Sequence, residues 1–166
     1  REAVRIALGG RPGPVLLDLP KDVQLQSVDA LPTPQSMVAS NPPALPPKQL
    51  LQSAAALISQ AQRPVLYGGG GLINAGEAAC NCFSALARHW NLPTTLTLMG
   101  LGALPASDPN FLGMLGMHGT VEANLAMHHA DLIICVGARF DDRITGRLSD
   151  FAPGARKIHI DIHAGN

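Results

Sequence analysis

The stretch DLIICVGARFDDRITG (Asp131 to Gly146) joins two opposite chemistries without a spacer. Its first half, Leu132 to Val136, is purely apolar, and no apolar run in the chain is longer. Five apolar residues bounded by Asp131 and Gly137 are too few for a buried helix and too uniformly apolar for a strand with one wet face. They read as a strand covered on both faces, which is how strands of a parallel sheet read. The second half puts two arginines and two aspartates within five positions, directly after that strand. Such a concentration of charge beside a core is costly unless the charges are paired or meet a ligand.

Outward from this strand the periodicity alternates. Downstream, KIHIDI (Lys157 to Ile162) reads as another strand. Upstream, Thr120 to His129 reads as a helix, and LPTTLTL (Leu92 to Leu98) as a strand followed by a glycine-containing loop. Ala75 to Trp90 sets Ala79, Cys82, Phe83, Leu86 and Trp90 on one helical stripe. Pro64 to Tyr67 predicts a strand running into Gly68-Gly69-Gly70-Gly71, and Lys48 to Gln62 carries Leu51, Ala54, Leu57, Ile58 and Ala61 at helical spacing. Strands and helices alternating at this spacing imply an α/β fold with a doubly wound parallel sheet. Before it, Val28 to Pro47 holds prolines at 32, 34, 42, 43, 46 and 47, a composition that favours an extended connection. Earlier still, Pro14 to Pro20 (PVLLDLP) reads as a buried strand, and residues 1 to 8 as a helix stopped by Gly9-Gly10. The opening REAVRIAL lacks an initiator Met and an apolar leader, so the expectation is a segment of a longer chain.

Composition narrows the classes. The 166 residues are 46% hydrophobic and 14% charged, with 12 basic against 12 acidic side chains. A globular domain follows, and the zero net charge provides no field to attract nucleic acid or an anionic membrane. No apolar run approaches a membrane span. Cys80, Cys82 and Cys135 form no framework and read as small buried hydrophobes.

In an open parallel sheet, ligands bind beyond the carboxyl ends of the strands. The tetraglycine there lets a ligand approach backbone, or else makes a tight turn. It gives neither G-x-G-x-x-G, because Asn74 takes the last position, nor a P-loop, because Glu77 stands where Lys is needed. In GARFDDRITG, arginine provides a planar fork for carboxylate or diphosphate, and aspartate accepts from hydroxyls. A solvated cluster of salt bridges fits the same residues. His118, His128 and His129 lack an H-E-x-x-H context, and no metal site is expected. The residues themselves lead to a doubly wound domain with a nucleotide-like cofactor.

GRPGPVLLDLPKDV (Gly10 to Val23), LYGGGG (Leu66 to Gly71), TLMGLGALP (Thr97 to Pro105), LGMLGMHGT (Leu112 to Thr120), GARFDDRITG and HIDI (His159 to Ile162) together resemble the acetolactate (acetohydroxyacid) synthase large subunits, members of the thiamine-diphosphate-dependent enzymes. The resemblance implies that residues 1–27 end a pyrimidine-binding domain, 28–47 form a linker, and 48–166 form most of a Rossmann-like, FAD-binding central domain. It implies a reaction that decarboxylates pyruvate on thiamine diphosphate and joins the two-carbon unit to a second 2-keto acid, pyruvate or 2-ketobutyrate, toward isoleucine and valine. FAD contacts carried over by motif fall on Arg11, Gly70, Thr97, Leu98, Leu115, Gly116, Met117, His118, Gly137, Arg139, Asp141 and Asp161. Arg143, Met117 and Lys21 would face the second keto acid. No catalytic residue falls in this stretch, and thiamine diphosphate and Mg²⁺ would be held by other domains, so the stretch by itself is expected to be inactive. Partners implied are further large subunits, as a homodimer or homotetramer, and a small regulatory subunit; the location implied is the bacterial cytoplasm, or a plastid or mitochondrion in a eukaryote. A related oxidase or carboligase, and a non-catalytic nucleotide-binding module, are the other readings; FDDR and LGMHG argue against the first. Two departures stand out: Gly68 where the family often has a β-branched residue, and His163-Ala-Gly-Asn where it usually continues with Asp.

Overall fold

The computed structural model describes residues 1–30 and 45–163, in two compact units divided between Leu45 and Pro46. Most of the proline-rich segment, and the last residues of the His163-Ala-Gly-Asn departure, lie outside the described residues.

The first unit contains helix α1 (Glu2–Leu8) and one short turn of helix, α2 (Lys21–Gln24). Between them the expected strand Pro14 to Pro20 does not form. The segment has no regular structure and pairs with no strand among the described residues, and Leu16 is 93% exposed. The local pattern is that of a strand, yet a strand exists only as one side of a ladder, and its hydrogen bonds and cover must come from elsewhere.

The second unit is a five-stranded parallel sheet. Its strands are β1 (Pro64–Gly68), β2 (Thr94–Leu96), β3 (Phe111–Met114), β4 (Leu132–Val136) and β5 (Arg156–Ile160), in the spatial order β3-β2-β1-β4-β5. Around it lie α3 (Lys48–Gln60), α4 (Gly70–Ala75), α5 (Glu77–His89), α6 (Val121–His129) and a single turn, α7 (Asp142–Thr145). The chain winds outward from β1 to β3, then returns to lay β4 on the other side of β1, so β1 and β4 flank the switch point.

Both faces of the sheet are covered, because successive strand residues point to opposite sides. Leu66, Leu96, Leu132 and Ile134 meet Leu57 and Ile58 of α3, Leu72 of α4, and Phe83 and Ala87 of α5. Val65, Tyr67, Ile133 and Cys135 meet Met127 of α6, Ile144 of α7, and Phe140 and Phe151. The α/β, doubly wound reading therefore holds. At Gly68 a Cβ would lie 2.7 Å from Leu96 Cδ2 and from Phe83 Cζ, so those side chains occupy the volume a β-branched residue would need.

Three features differ from expectation. The helix expected at 75–90 is split by Gly76 at φ 92°, with the preceding turn beginning inside the tetraglycine. Strand β3 went unread because Gly113, at φ 93°, interrupts its pattern and shifts its register against β2. Cys82 is exposed and Cys80 half-buried, so only Cys135 is the buried thiol expected; it donates to the Ala138 carbonyl at 3.3 Å, and burial pushes its pKa up to about 12.

At the other end of the sheet Asp131 staples β1 to β4: its carboxylate accepts from the backbone N–H groups of Gln62 (2.7 Å) and Arg63 (2.9 Å). These N–H donors, Gln62 first, hold its pKa below the ordinary carboxylate value. A lowered folded-state pKa contributes stability that is full above the unfolded value, about 3.9, and is lost as pH falls through the folded one. Asp131→Asn should therefore flatten the acid limb of the melting temperature below about pH 4. A melting curve against pH that keeps its wild-type acid slope would contradict the staple.

Candidate functional site at the strand ends

Because the sheet is parallel, the carboxyl ends of all five strands open on one edge. The expected site residues of the second unit lie there, each just beyond a strand. Gly70 follows β1, Thr97 and Leu98 follow β2, and Leu115 to His118 follow β3. Gly137, Arg139, Asp141 and Arg143 follow β4, and Asp161 follows β5. Arg11 and Lys21 belong to the first unit, where both are exposed; Lys21 opens α2 behind Pro20.

The centre of the edge is backbone packed on backbone. Gly69 N–H donates to the Val136 carbonyl and Gly71 N–H to the Gly137 carbonyl, both at 2.9 Å. A Cβ on Gly69 would lie 2.3 Å from the Gly137 oxygen, and one on Gly71 would lie 2.7 Å from Gly137 Cα. A Cβ on Gly70 would reach Met99 Cβ at 3.0 Å. The reading of the tetraglycine as a bare surface for a ligand is thus corrected: at Gly69 and Gly71 the vacated space is filled by the Gly137–Ala138 loop.

The neighbouring loops are fixed with similar economy. Thr97 N–H donates to the Gly68 carbonyl (2.9 Å), and the Thr97 hydroxyl accepts from Gly100 N–H (3.0 Å), bending the chain into one 3₁₀ turn, Leu98–Gly100. Leu98 and Met99 are left exposed. Gly116, at φ 105°, gives its N–H to the Asn124 side chain (3.2 Å) and receives that side chain's N–H at its carbonyl (3.1 Å). Met117 N–H then reaches the Arg143 carbonyl at 3.2 Å, which ties the LGMHG and FDDR loops together. The Met117 side chain is 70% exposed, and His118 is exposed beside it.

In FDDR, Asp141 is the N-cap of α7, accepting from Arg143 N–H at 3.2 Å. Its other oxygen lies 3.8 Å from Arg139 Nη2. Arg139, Asp142 and Arg143 are exposed, and among the described residues the Arg143 guanidinium forms no ion pair, neither with Asp142 nor with another carboxylate. The charges are therefore not buried against the core; they project from the strand end. Sequence reasoning passed over Phe140, whose half-buried ring packs beneath this loop against Tyr67, Phe151 and His159. An apolar residue alternating with charged ones was its only signal. His159 Nε2–H donates to the Ala138 carbonyl at 2.9 Å and lies 3.8 Å from Asp161.

The chemistry of this edge is an exposed apolar group (Leu98, Met99, Met117) flanked by a guanidinium fork and carboxylates. That set suits a ligand with a flat apolar part and hydroxyl or phosphate arms. A cavity of about 270 Å³ lies behind these loops, lined by Leu115, Asn124, Ile144 and Thr145 together with Met127 and Phe151, and one of about 400 Å³ lies away from them at Glu77, Ser84 and Arg88. Among the described residues no group of three or more His, Cys, Asp or Glu could hold a metal ion, and no helix is long and apolar enough to cross a membrane.

A doubly wound parallel sheet with its candidate site residues on the strand-end edge defines the class as an open α/β domain. Within it, the chain belongs to the thiamine pyrophosphate enzyme family: residues 51–166 match the model of that family's central domain. The chain is 49% identical over 164 residues to the acetolactate synthase large subunit of Parasynechococcus marenigrum, covering 97% of this chain and 26% of that protein. It is 48% identical over 165 residues to acetolactate synthase 2, chloroplastic, of Zea mays (98% and 25%). Over 161 residues it is 48% identical to the acetolactate synthase isozyme 1 large subunit of Escherichia coli (97% and 28%). The chain thus spans about a quarter of the length of the curated relatives it matches.

Two measurements test the geometry. Gly69→Ala forces a methyl into the Gly137–Ala138 backbone, so it should destabilise by about 3 kcal/mol, at the upper end of overpacking. Gly13→Ala, where a Cβ meets nothing within 4 Å, is the control for denaturant titration; equal effects would refute the contact. The Tyr67 hydroxyl is fully buried and has no hydrogen-bond partner among the described residues. Removing an unsatisfied polar group relieves its desolvation, so Tyr67→Phe should leave stability unchanged or raise it by about 1 kcal/mol. A loss of that size in the same titration would reveal a hidden partner.

Proposed function

We propose that this chain is the central part of an acetolactate synthase large subunit. In that reading residues 1–27 end a pyrimidine-binding domain, 28–47 link, and 48–166 form most of an FAD-binding central domain. The observation that supports it best is the coincidence of two independent facts. The motifs shared with the synthases fall at successive strand ends of one parallel sheet, and the relatives matching almost the whole chain carry that name. The full-length protein would decarboxylate pyruvate and add the two-carbon unit to a second pyruvate or 2-ketobutyrate, toward isoleucine and valine. Thiamine diphosphate with Mg²⁺, held by other domains, would supply the decarboxylation chemistry. Further large subunits and a small regulatory subunit are the partners we infer.

The residues of this chain would bind and orient. Arg139, with Asp141, Thr97, Leu98, Leu115, Gly116, His118, Gly70, Gly137 and Asp161, would hold FAD, and Arg11 is assigned to the same group by motif. FAD is a redox group, but the condensation moves no net electrons, so its role here is to hold structure. Arg143, Met117 and, by motif, Lys21 would meet the second keto acid. A guanidinium without an ion pair can take a carboxylate in a charge-assisted, often bidentate contact, and so fix the acceptor for carbon–carbon bond formation.

Such a contact is worth about 1.5–3 kcal/mol, or roughly 10- to 150-fold. In the full-length enzyme Arg143→Ala should raise the acceptor KM by about that factor, and Arg143→Lys, which keeps the charge and loses the fork, by less. Both should retain FAD and the decarboxylation of pyruvate. Kinetics with pyruvate and 2-ketobutyrate in competition decide: an unchanged acceptor KM with an unchanged product ratio removes Arg143 from the substrate site.

A further inference from the structure

The charged groups of the 137–146 loop cannot position themselves. Arg139 and Arg143 are exposed, their only ion pair among the described residues is the 3.8 Å contact of Arg139 with Asp141, and α7 is a single turn. Ala138 at its start and Ile144 in α7 fasten the ends of the loop to the core, and between them the residue that ties its charged stretch down is Phe140. The Phe140 ring centroid lies 5.9 Å from that of Tyr67, 5.9 Å from Phe151 and 5.4 Å from His159, with interplanar angles of 46°, 66° and 75°. These are edge-to-face and tilted arrangements, in which a ring's positive edge meets a neighbour's negative face, so orientation is selected as well as burial. The three neighbours come from different parts of the chain. Tyr67 is in β1, His159 is in β5, and Phe151 follows the loop. His159 is in turn held by its bond to the Ala138 carbonyl, at the start of the loop. Beyond Phe140, the Arg143 carbonyl carries the backbone of Met117.

We propose that Phe140 is a positioning residue: the aromatic box beneath it holds Arg139, Asp141, Arg143 and, through the Arg143 carbonyl, Met117 as one rigid array. The part of this that concerns substrate rests on the function proposed above; the anchoring itself does not. Ring geometry makes Phe140 specific, because a leucine of comparable volume fills the box without the oriented edges. The loop would then sample other orientations while the sheet and the opposite helix layer stay closed.

The test uses the full-length enzyme with Phe140→Leu, with Phe140→Met as a second ringless variant should the first fail to fold. Amide hydrogen exchange is followed by mass spectrometry over 139–147, over 115–120, and over α5 as reference. Both loop segments should exchange about tenfold faster in the variant, with α5 unchanged. Tyr67→Phe, which keeps the ring, should exchange at the wild-type rate throughout. Acceleration of α5 together with the loops, or of none, overturns the proposal, because then Phe140 supports the whole fold or nothing. A kinetic arm separates the two readings. If the array serves the reaction, the acceptor KM rises about tenfold while the rate of pyruvate decarboxylation holds. Loosened loops with an unchanged acceptor KM would leave the anchor standing and remove the substrate role of Arg143 and Met117.

Discussion

The close approach of the Gly68–Gly71 turn to Gly137 and Ala138 is the constraint on which the rest of the second unit depends. It occurs at the switch point, where β1 and β4 lie side by side and the chain leaves both strands on the same edge. Two turns can share that place only if neither carries a side chain into the other. Glycine at 69, 71 and 137 meets the condition, and Gly137 also takes a φ of 61° that most side chains avoid. Because the two turns interlock, α4 starts immediately after β1, and the loop after β4 is directed outward with its charges in solvent.

From there the order of the site follows by contact. The turn after β2 is hung from the Gly68 carbonyl through Thr97, and Gly100 packs flush on Gly68 and Gly69. The loop after β3 is braced internally by Asn124, whose side-chain amide both gives to and receives from Gly116. It is braced laterally by the carbonyl of Arg143. Four loops far apart in sequence thereby become one surface. Its polarity is uneven: apolar at Leu98, Met99 and Met117, charged at Arg139, Asp141 and Arg143.

Stability and function draw on different chemistry in this domain. The amino-terminal end of the sheet is fastened by a fully used carboxylate, Asp131, and a similar pairing of Asp108 with Arg88 at 2.7 Å holds the segment before β3. At the carboxyl-terminal end Asp141 meets Arg139 only at 3.8 Å, and the Arg143 guanidinium has no ion pair among the described residues. A residue whose hydrogen bonds are already satisfied has little to offer a ligand, so the loosely engaged charges are what make this edge the candidate site.

Much of this was legible in the sequence. The doubly wound sheet followed from the uniform apolarity of Leu132 to Val136 and from alternating periods of helix and strand, because burial on both faces leaves a compositional mark that needs no knowledge of neighbours. The concentration of charge in FDDR likewise fell where the sheet places it, just beyond the end of β4. What the sequence alone could not decide was partnership. Pro14 to Pro20 has the pattern of a buried strand and lies exposed, because a strand needs a ladder that local pattern cannot supply. Phe111 to Met114 has a broken pattern and is a strand, because β2 stands beside it. Whether the tetraglycine was a bare surface or a tight turn was undecided until the Gly137–Ala138 loop filled the space at Gly69 and Gly71, and Phe140 looked incidental until Tyr67, Phe151 and His159 closed around it. Periodicity reports the environment of a residue averaged over its own element; which distant residue touches it is set only when the chain is folded.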